Sequence, residues 1–170
     1  FSAVLVISAM ASLDQPDQAW PTEALEVTHQ WQSQGYEVFP LRTTPNNFVR
    51  HSDVKVRGYI HRQDRKALAV VGFGTRLEGP PGLVHGGALF TLADTMLAMM
   101  TIEVFPSPLL TGNMSINYRG PVKLGECVVC EASVVGEEGR KVSVGFAIKG
   151  LDGSVRVEGT GLWLQRKSKM

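Results

Sequence analysis

An α+β domain, with about six antiparallel strands set around one long apolar helix, is the architecture this sequence predicts. Three observations lead to it. The stretch Leu77 to Glu103, LEGPPGLVHGGALFTLADTMLAMMTIE, is a Gly/Pro loop running into a helix with apolar residues on every side of its wheel, and such a helix is normally buried. Around it lie runs of β character separated by polar or glycine-containing turns. The chain has 170 residues, which fits one domain able to bury a sizeable core.

Pro21 to Gln34 reads as a helix: proline stands in its first turn, Ala24, Val27 and Trp31 fall at i, i+3 and i+7, and Gly35 stops it. It is expected to cover one face of the sheet. Residues 36 to 53, with Pro, Asn and Thr throughout, read as an irregular connection with a short helical turn over Pro45 to Arg50. Val54 to Ile60 and Ala67 to Phe73 are the first two strands, joined by the turn HRQDRK. After the apolar helix come Thr111 to Tyr118, Glu126 to Val135, Lys141 to Lys149 and Val155 to Gln165, separated by GPVKLG, GEEGR and the hairpin signal Asp152-Gly153. The chain thus divides into an N-terminal extension over 1–53 and a main domain over 54–170. Phe1 is not a natural start, and Met10 is a candidate native initiator.

Lys plus Arg number 17 against 16 Asp plus Glu, a net charge of +1, so there is no basic stripe of the kind nucleic acid requires. The four histidines, His29, His51, His61 and His85, are scattered without metal-ligand spacing, and neither a metal nor a cofactor is expected. Cys127 and Cys130 form a C-x-x-C inside the apolar run ECVVCEASVV. Residues three apart on a strand point to opposite faces, and no second Cys or His pair completes a zinc site. They read as core thiols of a reducing compartment, the cytoplasm or the mitochondrial matrix.

Between His85 and Glu103 the one charged side chain is Asp94. A membrane span is disfavoured, because an ionised group at its centre costs on the order of 3 kcal/mol. A core helix with a locally satisfied Asp is the plain alternative. The functional reading rests on the loop before the helix. Gly86 and Gly87 carry no Cβ, and the first N–H groups of a helix lack internal partners, so this end attracts negative charge or a polarised carbonyl oxygen. Eight residues separate Gly86 from Asp94, about 12 Å along a helix, too far for one helix to bring both to a single carbonyl. Two antiparallel copies solve this, so a homodimer or a dimer of dimers with two equivalent sites is expected.

The run Leu77-Glu78-Gly79-Pro80-Pro81-Gly82, then His85-Gly86-Gly87-Ala88 and Asp94, followed by Thr111, Ser115-Ile116-Asn117-Tyr118 and Glu138-Gly139-Arg140-Lys141, resembles the hotdog-fold acyl-CoA thioesterases. The likeness is to mammalian mitochondrial thioesterase superfamily members and, more distantly, to bacterial phenylacetate-pathway thioesterases, and it covers roughly residues 54 to 166. It implies the hotdog fold, a sheet wrapped around the central helix, and hydrolysis of a fatty or aryl acyl-CoA to free acid and coenzyme A. Asp94 then acts as general base or nucleophile, Gly86 and Gly87 polarise the carbonyl, His85 braces the loop, and the resemblance adds Thr111 to orient the attacking water. Asn113 and Asn117 are candidates to line the pocket, Arg119, Lys123, Arg140 and Lys141 to meet coenzyme A phosphates, and Met96 and Leu97, with Met99 and Met100, to form a greasy tunnel. Two alternatives stay open: release of an acyl or polyketide chain from a carrier protein, and a non-catalytic module that binds acyl-CoA or a protein partner.

Overall fold

The structure is a computed structural model and describes residues 11–12, 20–39, 42–43, 53–107 and 109–165. In chain order the elements are β1 (Ala11–Ser12), α1 (Thr22–Ser33), β2 (Glu37–Phe39), β3 (Arg42–Thr43), β4 (Val54–His61), β5 (Lys66–Phe73), a 3-10 turn (Thr75–Leu77), α2 (Gly86–Val104), β6 (Leu109–Tyr118), β7 (Cys127–Glu138), β8 (Lys141–Gly150) and β9 (Val155–Gln165). Seven strands form one antiparallel sheet in the order β2-β4-β5-β7-β8-β9-β6, and β1 pairs with β3 separately.

Period-2 alternation sorts the side chains into two layers. On the inner face, Val56 and Ile60 of β4, Ala67, Ala69 and Val71 of β5, Val128 and Cys130 of β7 and Val142 to Ile148 at every second position of β8 pack with Leu89, Leu92, Ala93, Met96, Leu97 and Met100 of α2. On the outer face, Tyr59, Val70 and Val129 pack with Ala24 and Trp31 of α1. Trp31 meets Tyr59 edge to face with ring centroids 5.4 Å apart. The two cysteines separate as their spacing requires: Cys130 is in the inner cluster and Cys127 lies against the outer one.

The covering helix ends as its glycine predicts. Gly35 has φ +89°, Gly35 N–H donates to Gln32 O at 3.1 Å, and Tyr36 N–H reaches back to Trp31 O at 3.1 Å, the paired bonds of a Schellman cap. Its buried stripe is Ala24, Thr28 and Trp31. Thr28 joins the stripe because its hydroxyl donates to Leu25 O at 2.8 Å, which satisfies the polar atom locally.

Three expectations are corrected. The sheet has seven strands, because β2 pairs with β4 (Glu37↔Ile60, Phe39↔Gly58) inside the stretch read as irregular. Three residues are too few to show a period, and the β4 ladder makes the strand. β6 begins at Leu109, two residues before the expected start, and β7 runs on to Glu138. Finally, α2 is apolar all round yet buried on one side. Phe90, Asp94 and Ala98, at helical spacing, are half-buried and Ile102 is 43 % exposed. The expected turn over Pro45 to Arg50 lies outside the described residues.

Candidate active site

The loop that delivers the chain into α2 is a small braced hairpin. Gly79 N–H donates to Leu83 O at 2.9 Å, His85 N–H to Leu77 O at 2.8 Å, and the Glu78 carboxylate accepts from Gly82 N–H at 2.6 Å. A Cβ at Gly79 would come within 2.8 Å of His85 Cα, so this close approach requires glycine. From the other side, Val84 N–H donates to Val122 O at 2.9 Å and Leu124 N–H to Gly82 O at 3.0 Å. The 119–126 connection therefore holds the mouth of the helix in place.

His85 is the N-cap of α2, and its Nδ1 accepts from Gly87 N–H at 2.9 Å. An imidazole that accepts at Nδ1 carries its proton on Nε2. His85 O takes Ala88 N–H at 2.9 Å and Leu89 N–H at 3.3 Å. Of the two glycine donors, Gly87 is thus committed to the cap. Among the described residues Gly86 N–H has no acceptor, which leaves it as the donor free to meet a ligand oxygen.

Asp94 sits two turns further along, on the half-open side of α2, and its Oδ1 accepts the Thr111 hydroxyl at 2.8 Å. Thr111 reaches it because of a bulge. The register of β6 against β9 shifts between Thr111 (opposite Trp163) and Asn113 (opposite Leu162), leaving Gly112 as the extra residue. In an unbroken strand Thr111, Asn113 and Asn117 would share one face. With the bulge, Leu109 packs into the inner core and Thr111 meets Asp94 from the same side, while Met114 and Ile116 continue that inner face. Asn117, paired with Glu158, lines an open groove of about 670 Å³ on the opposite face with Glu131, Ser133 and Thr160. Thr111 and Asn117 are therefore on different sides of the sheet.

The remaining candidates fall at several places. Met96 and Leu97 are fully buried, as part of the packed core between helix and sheet. Arg119 is engaged by Glu158, with Nη2 2.7 Å from the carboxylate. Lys123 is exposed in the connection that braces the helix mouth. Arg140 and Lys141 lie at the β7–β8 turn, beside the strand ends that carry Leu109 and Leu164, and Arg140 donates to Gln165 O at 3.3 Å. Lys123, Arg140 and Lys141 form no ion pair among the described residues.

One contact at the site was not singled out from the sequence. The Tyr118 hydroxyl donates to Gly86 O at 2.9 Å. A tyrosine in a strand has ordinary reasons to be there, and the signal for it would have been the Gly-Gly pair, whose flexible backbone needs an external hold.

The sequence profile of the thioesterase superfamily matches residues 81–157, from the loop before α2 into β9. Acyl-coenzyme A thioesterase THEM4 of Xenopus laevis is 30 % identical over 108 residues, 63 % of this chain and 48 % of that protein. The Mus musculus protein of the same name is 29 % identical over 108 residues, 63 % of this chain and 46 % of its own. The chain thus spans about half the length of these relatives. Among solved structures, a hypothetical thioesterase of Streptococcus pneumoniae with coenzyme A superposes with a TM-score of 0.61 at 20 % identity, over 68 % of this chain and 88 % of that one. Conserved protein PA5202 of Pseudomonas aeruginosa gives a TM-score of 0.56 at 28 % identity, over 61 % and 82 %. The match covers just under half of the chain and makes it similar to the thioesterase superfamily, and a sheet whose inner face packs on a single long helix is the hotdog fold.

Proposed function

We propose that this protein is an acyl-CoA thioesterase that hydrolyses a fatty or aryl acyl thioester in a site shared by two copies of the chain. The observation that carries the reading is the pairing of Asp94, held by Thr111 at 2.8 Å on the half-open side of α2, with an uncommitted Gly86 N–H at the N-terminus of the same helix. A module that only binds acyl-CoA has no use for a carboxylate anchored in that way. The names of the THEM4 relatives agree with the substrate class.

The chemistry needs both groups at one carbonyl. Gly86 and Asp94 lie about 12 Å apart along the axis, against the ~3 Å reach of a hydrogen bond. Packing Phe90, Asp94, Ala98 and Ile102 of one α2 against the same stripe of a second, antiparallel α2 covers the apolar side that the monomer leaves open and sets Asp94 of one chain beside Gly86 of the other. Asp94 takes a proton from water as the water oxygen bonds to the thioester carbon. The carbonyl oxygen, now negative, is held by the partner's helix end. As the C–S bond breaks, the electron pair leaves with sulfur, and Asp94 returns the proton to give the free thiol and the acid. Direct attack by the carboxylate, followed by hydrolysis of the mixed anhydride, uses the same geometry. Lys123 from the Gly86 side and Arg140 and Lys141 from the Asp94 side are the cations available to coenzyme A phosphates at the rim.

The test is thiol release over a panel of acyl-CoAs of different length and head group, with wild type and Asp94→Asn. Wild type should turn over at least one class, and Asp94→Asn should fold but lose at least about a hundredfold in turnover. Turnover of acyl-carrier thioesters and not of acyl-CoA would move the reading to the biosynthetic enzyme, and near wild-type activity in Asp94→Asn would sink the mechanism.

A further inference from the structure

The donor that the proposed chemistry depends on adjoins a Gly-Gly pair, where a peptide plane turns over at little cost because neither residue has a Cβ to restrict it. That plane is gripped at both ends. The N–H of the Gly86–Gly87 peptide donates to His85 Nδ1 at 2.9 Å, and its carbonyl oxygen accepts the Tyr118 hydroxyl at 2.9 Å. The Tyr118 ring also lies against the same residue, for a Cβ on Gly86 would come within 3.3 Å of ring carbon and hydroxyl. Tyr118 is 52 % exposed at the last position of the edge strand β6, so core burial does not account for an aromatic there.

We infer that Tyr118 is a positioning residue: together with His85 it fixes the Gly86–Gly87 peptide plane, and thereby keeps the Gly86 N–H aimed at the thioester oxygen. The inference takes its chemistry from the thioesterase reading, but its mechanics stand without it. Without the hydroxyl, the peptide is held from the His85 side alone, the first turn of α2 opens more often, and Gly86 N–H spends less time aligned. Strand β6 then acts on the helix twice, through Thr111 on Asp94 and through Tyr118 on Gly86. In an antiparallel dimer those two grips serve two different sites.

Tyr118→Phe removes the hydroxyl and keeps the ring. The expected result is kcat lower by about tenfold with KM within about twofold, since misplacing a donor lowers the rate without removing substrate contacts. Independently of activity, amide hydrogen exchange should quicken at least about threefold at Gly87 and at Phe90, whose N–H bonds Gly86 O in the helical pattern, with the middle of α2 unchanged. Unchanged exchange at Gly87 and Phe90 overturns the assignment whatever happens to kcat, and so does a variant whose kcat stays within twofold of wild type. If wild type releases no thiol from any acyl thioester, the thioesterase reading fails, and the exchange at those two amides alone decides the role of Tyr118.

Discussion

Helices α1 and α2 pack on opposite faces of one sheet, and they differ in how well their composition matches the surface each buries. In α1 the buried residues Ala24, Thr28 and Trp31 make a single stripe flanked by half-buried Leu25 and Val27, and the exposed positions are Thr, Glu, His, Gln and Ser. The helix needs one covering surface and has one. In α2 the stripe Leu89, Leu92, Ala93, Met96, Leu97 and Met100 is matched by further apolar residues on the side away from the sheet, where Ile102 stands 43 % exposed. An amphipathic helix is finished by its own domain, whereas one apolar all round has a second surface still to cover. Asp94 lies on that second surface, so the charge proposed for catalysis and the surplus of apolar area share one side.

The comparison breaks first at Trp31. It is 8 % exposed, and its ring sits edge-on to Tyr59. Trp31→Ala should cost about 4 kcal/mol of stability, since removing a large buried aromatic leaves a cavity. If α1 only covers the sheet, turnover per folded molecule will not change, and urea unfolding alongside thiol release at low temperature checks both. A matching loss of kcat would mean that α1 belongs to the site.

At the other helix, Gly86→Pro is the sharpest change available. Proline suits the first helical position and its fixed φ, and the preceding residue, His85, already has the extended backbone that proline requires (ψ 133°). The substitution deletes one N–H, the uncommitted one, while its Cβ would come within 3.3 Å of the Tyr118 ring and hydroxyl, which must shift slightly. Turnover should fall by at least about a hundredfold, and urea unfolding checks that the fold is kept. Mixed with Asp94→Ala after subunit exchange, it should recover about a quarter of wild-type activity, because half the dimers are mixed and one of their two sites holds both intact groups. Mixed dimers seen by mass spectrometry without any recovery would refute the shared site.

What the sequence made legible follows the same division. Strands with clear alternation, the covering helix with its glycine stop, and the opposite orientation of Cys127 and Cys130 were all readable, because each is a local period of 2 or 3.6. β2 was hidden because three residues carry no period, and its existence depends on the β4 edge. The lone charge of Asp94 in an apolar helix is what marked the candidate site. The bulge at Gly112 that turns Thr111 toward it is set by pairing with β9, and no period in β6 announces it. The likeness to a family supplied Thr111 where alternation would have grouped it with Asn117. Which glycine donor is free, and that Tyr118 holds the other peptide group, are facts of tertiary contact.

The smallest expected effect separates the two faces by their thiols. Cys130, fully buried on the α2 side, has its pKa pushed up from 9.0 to about 12, first by burial and then by the charge of Glu131. Cys127, half-buried on the α1 side, is pushed up to about 11 by burial, against a backbone hydrogen bond from Val71 that lowers it and the charge of Glu126 that raises it. Both folded values lie above the ordinary thiol value of 9.0. The unfolded chain therefore loses these protons first as pH rises, so the stability held by the neutral thiols is complete below about pH 9 and disappears as pH climbs through the folded values. Urea unfolding from pH 8 to 11 should show wild type losing stability more steeply than the Cys127→Ala, Cys130→Ala double variant. Other titrating groups are common to both proteins and cancel in the difference, while any cavity left by alanine shifts the curve without changing its slope. At pH 8 a disulfide reagent should label the native protein slowly, at Cys127 before Cys130, because reaction needs the thiolate and access to it. Equal slopes would show that folding does not raise the pKa of these thiols, and a Cys130 that reacts as fast as Cys127 would show that the inner face under α2 opens as readily as the outer face under α1.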